Sequence, residues 1–215
     1  MRLNYLITTA LLAGITLTAM AQENHNEYRS IFNKKADQKV AHGGYGAIGV
    51  GYSNIDGKDA ILMNIKGAWV INHHVALGFA GTGFYNNLNK TNDPNEHYLG
   101  GGYGGFYFEP ILFPKSPVHL SFPVLIGAGG VATIPYNNWD THWGPHAYQD
   151  DYDVFFVFEP GVELEFNMVK FFRIAVGASY RLTNGIILNY PADIQVPTDA
   201  LDGFNVYLNF KFGKF

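Results

Sequence analysis

Apolar and polar positions alternate with a period of two residues over much of the chain that follows His42. In the segment 203–212, the apolar side chains of one face are Phe204, Val206, Leu208, Phe210 and Phe212. The intervening positions carry asparagine, tyrosine and lysine. Successive side chains point to opposite faces of a β-strand, and no stretch of the chain keeps a helical period over a comparable length. The alternation therefore predicts an all-β protein.

Eight segments of this kind are separated by clusters of turn-forming residues such as Asn, Asp, Gly and Pro. The predicted strands cover 42–53, 59–71, 74–85, 97–109, 118–132, 153–166, 170–182 and 203–212. At 10–15 residues each, they are long enough for the ~9–11 residues of a tilted membrane-spanning strand and exceed the ~5–6 residues typical of soluble sheets.

The connections between the predicted strands alternate in length. After a first short turn, the second, fourth and sixth connections are short, whereas the others run over 86–96, 134–151 and 183–202. Transmembrane barrels have short periplasmic turns and longer extracellular loops, and a soluble sandwich has no reason to segregate loop lengths. Because no water can satisfy an open sheet edge in lipid, we predict an eight-stranded antiparallel up-and-down transmembrane β-barrel. Its apolar faces would point outward, and side chains would fill its narrow interior.

The N-terminus predicts export. Arg2 is followed by the apolar stretch 6–20, and Ala19 and Ala21 supply the small residues of a cleavage site. This is the pattern of a secretory signal peptide, and the stretch is shorter than the ~20 residues of a spanning helix. We therefore expect a signal peptide over 1–21, a polar periplasmic leader over 22–40 and an outer-membrane barrel over 41–215.

Composition narrows the function classes. The chain of 215 residues has 25 glycines, 16% aromatic residues, only 15% charged residues and a net charge of −4. Its zero cysteines exclude a disulfide scaffold, a Cys-ligated metal, a Cys nucleophile and the lipid-carrying cysteine of a bacterial lipoprotein. The acidic balance argues against nucleic acid as a partner, since that would call for a basic face.

These features together resemble those of small OmpA/OmpX-like β-barrels. Within the chain, the segment 154–181 (VFFVFEPGVELEFNMVKFFRIAVGASYR) is similar to uncharacterised outer-membrane barrel proteins of the Bacteroidetes type, as is the cleavage site. The resemblance implies a barrel and an export route but no reaction. It also implies that the outer-membrane insertion machinery reads a C-terminal aromatic residue. Phe215 is out of phase with the apolar face of the last strand, so either a bulge at Gly213 restores the phase or the residue is read differently.

The candidate site is a network of charges predicted to face the lumen. Charges inside a barrel must pair or stay hydrated, because isolated burial is expensive. We expect a structural network, with a proton or ion path or a gated pore as the alternatives, formed by Glu159, Glu163, Glu165, Arg173, Arg181, Lys211, Lys66 and Glu109. No cofactor or metal is expected.

Two other features of the sequence are candidate sites. Some eight-stranded outer-membrane barrels modify lipid A with His, Ser and an acid, but His119 and Ser121 are predicted to face inward at the periplasmic end, away from the outer leaflet. The long connection 134–151 carries aromatic side chains suited to recognition of a protein or glycan. The recognition candidates are Trp139, Trp143, Tyr136 and Tyr148.

The sequence therefore predicts a non-enzymatic integral outer-membrane barrel, either a structural protein or an accessory subunit of a larger outer-membrane complex. The alternatives are a transport barrel for apolar molecules and a lipid A-modifying enzyme. The expected partners are outer-membrane lipid, the insertion machinery during biogenesis and other outer-membrane proteins in a complex.

Overall fold

The computed structural model describes residues 40–86, 97–135, 152–188 and 196–215. The predicted signal peptide and all of the predicted leader except Val40 lie outside these ranges. The strands are β1 (His42–Ile55), β2 (Lys58–Ile71), β3 (Val75–Tyr85), β4 (His97–Leu112), β5 (Val118–Ser121), β6 (Val124–Pro135), β7 (Tyr152–Val169), β8 (Phe172–Thr183) and β9 (Gly203–Lys214). In this part of the chain no helix is long and apolar enough to cross a membrane.

The strands close into a ring through antiparallel pairs. Each strand except β5 pairs with the next in the chain, and β1 also pairs with β9 over ten residue pairs from Gly44↔Lys214 to Ser53↔Asn205. Both β5 and β6 lie between β4 and β7, so together they form the fifth strand of the ring. The prediction of an eight-stranded antiparallel barrel is confirmed.

The fifth strand differs in one detail from the prediction of a continuous segment over 118–132. It is interrupted at Phe122 and Pro123, because proline has no amide hydrogen for the ladder. The two residues of the interruption still form backbone hydrogen bonds with the neighbouring strands β4 and β7. The Phe122 amide donates to the Pro110 carbonyl (3.0 Å), and the Gly161 amide donates to the Pro123 carbonyl (2.8 Å). The ring therefore stays closed across the break.

The alternation of faces also follows the prediction. Large apolar side chains on the outer face are exposed, with Phe79 and Phe204 each at 73%, whereas Asn205, Asn209 and Lys211 are buried at 0%. Such an outer face suits lipid and would be unfavourable in water.

The two ends of the barrel carry different connections. The tight-turn end holds the turns 72–74, 113–117 and 170–171 together with Val40 and Phe215. The long-loop end holds the connections 86–96, 136–151 and 184–202 and one tight turn, Asp56–Gly57, with φ values of 54° and 71°. Two central residues of positive φ characterise the hairpin turn that matches strand twist, and Asp-Gly is among its preferred sequences.

Glycine allows close strand contacts on one side of the ring. A β-carbon on Gly105 would lie 2.2 Å from the carbonyl oxygen of Ile126, so no larger residue fits without backbone movement. A β-carbon on Gly127 would lie 2.1 Å from the Gly104 oxygen. The pairing of β4 with β6 therefore depends on these glycines, as expected in a small curved barrel.

The C-terminal residue continues the strand pattern without a bulge. The pairing of β9 with β1 keeps one register through Lys214, so the alternative of a bulge at Gly213 is wrong. Phe215 falls on the inward side, where its ring stacks on Tyr45 at a centroid distance of 5.6 Å and meets the Arg173 guanidinium at 3.8 Å. The terminal aromatic ring therefore packs against the interior at the tight-turn end.

The interior has two halves of different chemistry. Toward the long-loop end it is apolar, and the fully buried Ile55, Ile186 and Leu201 belong to its cluster. Two of these come from the described parts of the β8–β9 connection, which is anchored by bonds such as that from the Asp56 amide to the Ala200 carbonyl (3.1 Å). This connection fills the mouth of the barrel. Toward the tight-turn end the interior is charged.

Candidate functional site: the charged lumen

The centre of the charged half is the ammonium group of Lys211, on β9. Its Nζ lies 2.5 Å from Glu109 Oε1, 2.7 Å from Glu163 Oε2 and 2.8 Å from Glu165 Oε1. Glu109 is on β4 and the other two are on β7, so the contacts join three strands across the lumen. All four side chains are at most 1% exposed. One buried cation thus contacts three carboxylates, which could not remain charged without basic partners.

A second lysine reinforces this centre from the opposite wall. Lys66 Nζ, on β2, lies 2.6 Å from Glu163 Oε1. It also lies over the rings of Tyr107 and Tyr207, at 4.9 and 5.1 Å from their centroids. Aromatic faces attract a desolvated ammonium group, so the two tyrosines help to hold Lys66 inside the barrel.

Glu165 extends the network toward the tight-turn end. Its Oε2 lies 3.1 Å from His119 Nε2 and 3.3 Å from an Arg173 terminal nitrogen. The Ser121 hydroxyl is 2.8 Å from both Glu165 Oε1 and Glu109 Oε1. We call Lys211, Lys66, the three glutamates and these three partners the Lys211 cluster. Buried carboxylates need such donors to satisfy their remaining lone pairs.

Two of the predicted network residues lie outside the Lys211 cluster. Glu159 accepts hydrogen bonds from Ser179 Oγ (2.5 Å) and Asn205 Nδ2 (3.0 Å). Arg181, fully buried, donates from Nε to the Leu201 carbonyl (2.5 Å), in the connection that fills the mouth. The structure therefore places Glu159 near mid-barrel and Arg181 in the apolar half.

Arg181 is held in that half by aromatic rings. Its guanidinium lies 5.6 Å from the ring centroids of both Phe84 and Tyr103. The residue opposite it on β7 is Glu159, by the register between Phe158↔Leu182 and Gly161↔Ser179. Strand pairing thus keeps the two opposite charges adjacent, although no direct hydrogen bond joins them.

The charges of the lumen balance. Among the described residues the interior carries four carboxylates and four basic side chains, the eight of the predicted network. An interior cavity of about 30 Å³, bordered by Lys66, Glu159 and Tyr207, has room for about one water molecule. A larger depression of about 810 Å³ lies on the outer surface, lined by Ile48, Met63 and Ile65. The described interior is filled.

The cluster is not suited to a metal ion or to nucleophilic catalysis. Glu109, Glu163 and Glu165 offer oxygens within 4.8 Å of one another, the spacing of a cation site, but the Lys211 ammonium occupies that position. Ser121 is buried at 0% exposure and contacts carboxylates rather than His119. A fully buried serine has no access to substrate and therefore no route to act as a nucleophile.

Three tyrosines that contact the charged side chains of this interior are not among the residues predicted from the sequence. Tyr45 donates to Glu109 Oε2 at 2.5 Å, and Tyr107 and Tyr207 contact Lys66. The signal was present, because each tyrosine stands at an inward position of a predicted strand. The recognition candidates Trp139, Trp143, Tyr136 and Tyr148 lie outside the described residues.

Comparisons with known proteins agree with this architecture. No family model and no curated protein sequence matches the chain. Among solved structures, the Neisserial surface protein A matches with a TM-score of 0.52 at 8% identity, covering 83% of this chain and 100% of that one. Ail of Yersinia pestis and the N-terminal β-barrel domain of Pseudomonas aeruginosa OprF match with TM-scores of 0.48 at 12% and 10% identity. They cover 81% and 80% of this chain and 98% and 96% of their own.

These matches concern the fold alone. The chain has the fold of the small eight-stranded outer-membrane barrels.

Proposed function

We propose that the protein is a non-enzymatic integral outer-membrane barrel that serves as a structural protein or as an accessory subunit of a larger outer-membrane complex. The observation that carries this proposal is the filled, charge-balanced lumen. The Lys211 cluster occupies one half, and apolar side chains with the β8–β9 connection occupy the other. A barrel filled in both halves has no site for a substrate inside and no path through.

Transport of apolar molecules is the second candidate, because the interior toward the long-loop end is apolar. The same half argues against it. Ile55, Ile186 and Leu201 are buried at 0% and fill the volume that a ligand would need. Planar-bilayer recordings and binding of an apolar fluorescent dye test this candidate. Steady conductance or saturable dye binding would favour transport over the structural role.

Purification from native membranes tests the main proposal. A tag in the leader 22–40, after the predicted cleavage site, avoids the packed Phe215. In mild detergent the barrel should co-purify with one or more other outer-membrane proteins in fixed ratio. An unrelated tagged barrel, expressed at the same level, controls for chance capture. If the protein elutes alone from every detergent, the accessory-subunit role is wrong and only the structural role remains.

A second test of the accessory-subunit role uses substitutions in the predicted recognition loop. In the double substitution Trp139→Ala and Trp143→Ala, the barrel should still fold, because both residues lie in the long connection between β6 and β7. If that loop recognises the partner, the partner should be lost from the purified complex. A partner retained by this variant would assign the contact to another surface.

A further inference from the structure

The exposed charges of the barrel are divided between its two ends. At the tight-turn end, each connection and the last strand present a basic or imidazole side chain: His73 and His74, Lys115, Lys170 and Lys214. No exposed carboxylate side chain lies at this end among the described residues. The α-carboxylate of Phe215 would offset one of these charges at most.

The long-loop end carries mainly negative charges. Its described carboxylates are Asp56, Asp59, Asp153, Asp199 and Asp202, against Lys58 and the histidine at the start of β4, His97. Because the lumen charges balance, this division leaves the tight-turn end positive and the long-loop end negative. Lys115, Lys170 and Lys214 are all exposed, and none of the three forms an ion pair with another described residue.

Exposed aromatic rings accompany these lysines. Phe113 is 72% exposed two residues before Lys115, and Phe171 is 64% exposed directly after Lys170. Phe212, 48% exposed, precedes Lys214 on the outer face of β9. Aromatic rings partition to the boundary between acyl chains and headgroups, and a lysine beside them extends its ammonium to the headgroup level. This arrangement suits a lipid surface better than a soluble partner.

We propose that the tight-turn end binds anionic phospholipid headgroups of the leaflet that surrounds it. The inference rests on the proposed membrane insertion and extends it to a lipid class. Lys115, Lys170 and Lys214 contact the phosphates, while Phe113, Phe171 and Phe212 lie among the acyl chains. Each lysine near an anionic surface favours binding by roughly fivefold. The surface therefore selects anionic over zwitterionic lipid.

One contact can be followed directly, because the sheet register aligns a fluorophore with a lysine. Trp69 on β2 pairs with Gly44 on β1, and Gly44 pairs with Lys214 on β9. Trp69 and Lys214 both face outward, and Gly44 has no side chain between them. With about 4.8 Å between neighbouring strands, they lie about 10 Å apart. A lipid held by Lys214 therefore places its chains near the indole, which is 51% exposed.

The experiment measures quenching of Trp69 by lipids with brominated acyl chains. The full chain carries Trp139→Phe and Trp143→Phe, so that Trp69 is the only indole, and is refolded into vesicles of phosphatidylcholine and phosphatidylglycerol. One or the other lipid is brominated at equal mole fraction, and both samples share one pH, so that the stacking of His42 on Trp69 is the same in each. Brominated phosphatidylglycerol should quench more strongly, with a relative association constant of roughly five.

Variants separate this inference from its alternatives. Lys214→Gln should bring the relative association constant close to one, and so should high salt. Lys170→Gln should leave it unchanged, because the β7–β8 turn is at least three strands from β2 around the ring. Equal quenching by both lipids in the folded protein, or a preference that persists in Lys214→Gln, would overturn the inference. Failure to form a heat-modifiable barrel in vesicles would instead contradict the proposed membrane insertion.

Discussion

Replacing Lys211 by methionine removes the ammonium group that three buried carboxylates share, while keeping a side chain of similar length. At an effective dielectric constant of about 20, two unit charges about 4 Å apart interact by about 4 kcal/mol. The three attractions of Lys211 are opposed by repulsion among the three carboxylates, whose oxygens lie within 4.8 Å of one another, and by desolvation. Removing one partner of a buried pair nevertheless costs about 3–5 kcal/mol, because the opposite charge stays buried.

We therefore expect Lys211→Met to lower the free energy of unfolding by at least about 3–5 kcal/mol. The measurement is a urea titration of the refolded barrel, with the folded fraction read from unboiled gels and confirmed by circular dichroism. Lys214→Met is the matched control, since Lys214 is exposed on the same strand and substitutions at such sites change stability by within about 0.5 kcal/mol.

A second variant keeps the test decisive if Lys211→Met does not fold. Adding Glu109→Gln to Lys211→Met restores the charge balance of the lumen and should recover part of the lost stability. A double-mutant cycle then gives the coupling between the two residues, which should be at least about 1–3 kcal/mol for groups in one network. If Lys211→Met unfolds at the same urea concentration as Lys214→Met, the Lys211 cluster is not what stabilises this half of the lumen.

Three further predictions concern packing and closure. Gly105→Ala should prevent folding or cost several kcal/mol, because the new β-carbon would lie 2.2 Å from the Ile126 oxygen, whereas Gly67→Ala, with nothing within 4 Å, should fold normally in the same refolding assay. Phe215→Ala should lower stability by about 0.5–2 kcal/mol through loss of the contact with Arg173, and Phe215→Leu should not restore it, as judged by urea midpoints. The wild-type barrel should show no steady conductance in planar bilayers, and stable single-channel openings would contradict the filled lumen.

Much of the fold follows from sequence because long strands with regular alternation are a simple physical case. Phe204, Val206 and Leu208 on one face and Asn205 on the other specify both the period and the side that faces outward. The prediction of which side faces inward is weaker in the segment 100–105, because its glycines have no side chains that could show an alternation. Even there, Tyr103 and Tyr107 indicate the inward side, and the strand boundaries are close to those predicted.

The sequence predicts which residues form the candidate site better than it predicts which of them contact each other. The alternating pattern places Glu163, Glu165, Arg173 and Lys211 on the faces of their strands that point to the lumen. The pattern does not say which of these charges contact each other across the barrel, because that depends on how distant strands are staggered. Lys211 and Glu109 are 102 positions apart in the chain. The stagger likewise separates Arg181 from the Lys211 cluster and places it beneath the mouth.

The filling of the mouth by the β8–β9 connection had no clear signal in the sequence. Ile186 and Leu201 stand in a connection that has no strand periodicity, so their burial depends on the shape of the barrel end. Once this connection is inside, the two halves of the interior close the lumen by different means, apolar packing at one end and ion pairs at the other. Disruption of the Lys211 cluster alone would therefore leave the mouth closed. The same argument limits where the protein can act, because a barrel whose described interior is filled in both halves contacts partners through its outer wall, its loops and the exposed lysines of its tight-turn end.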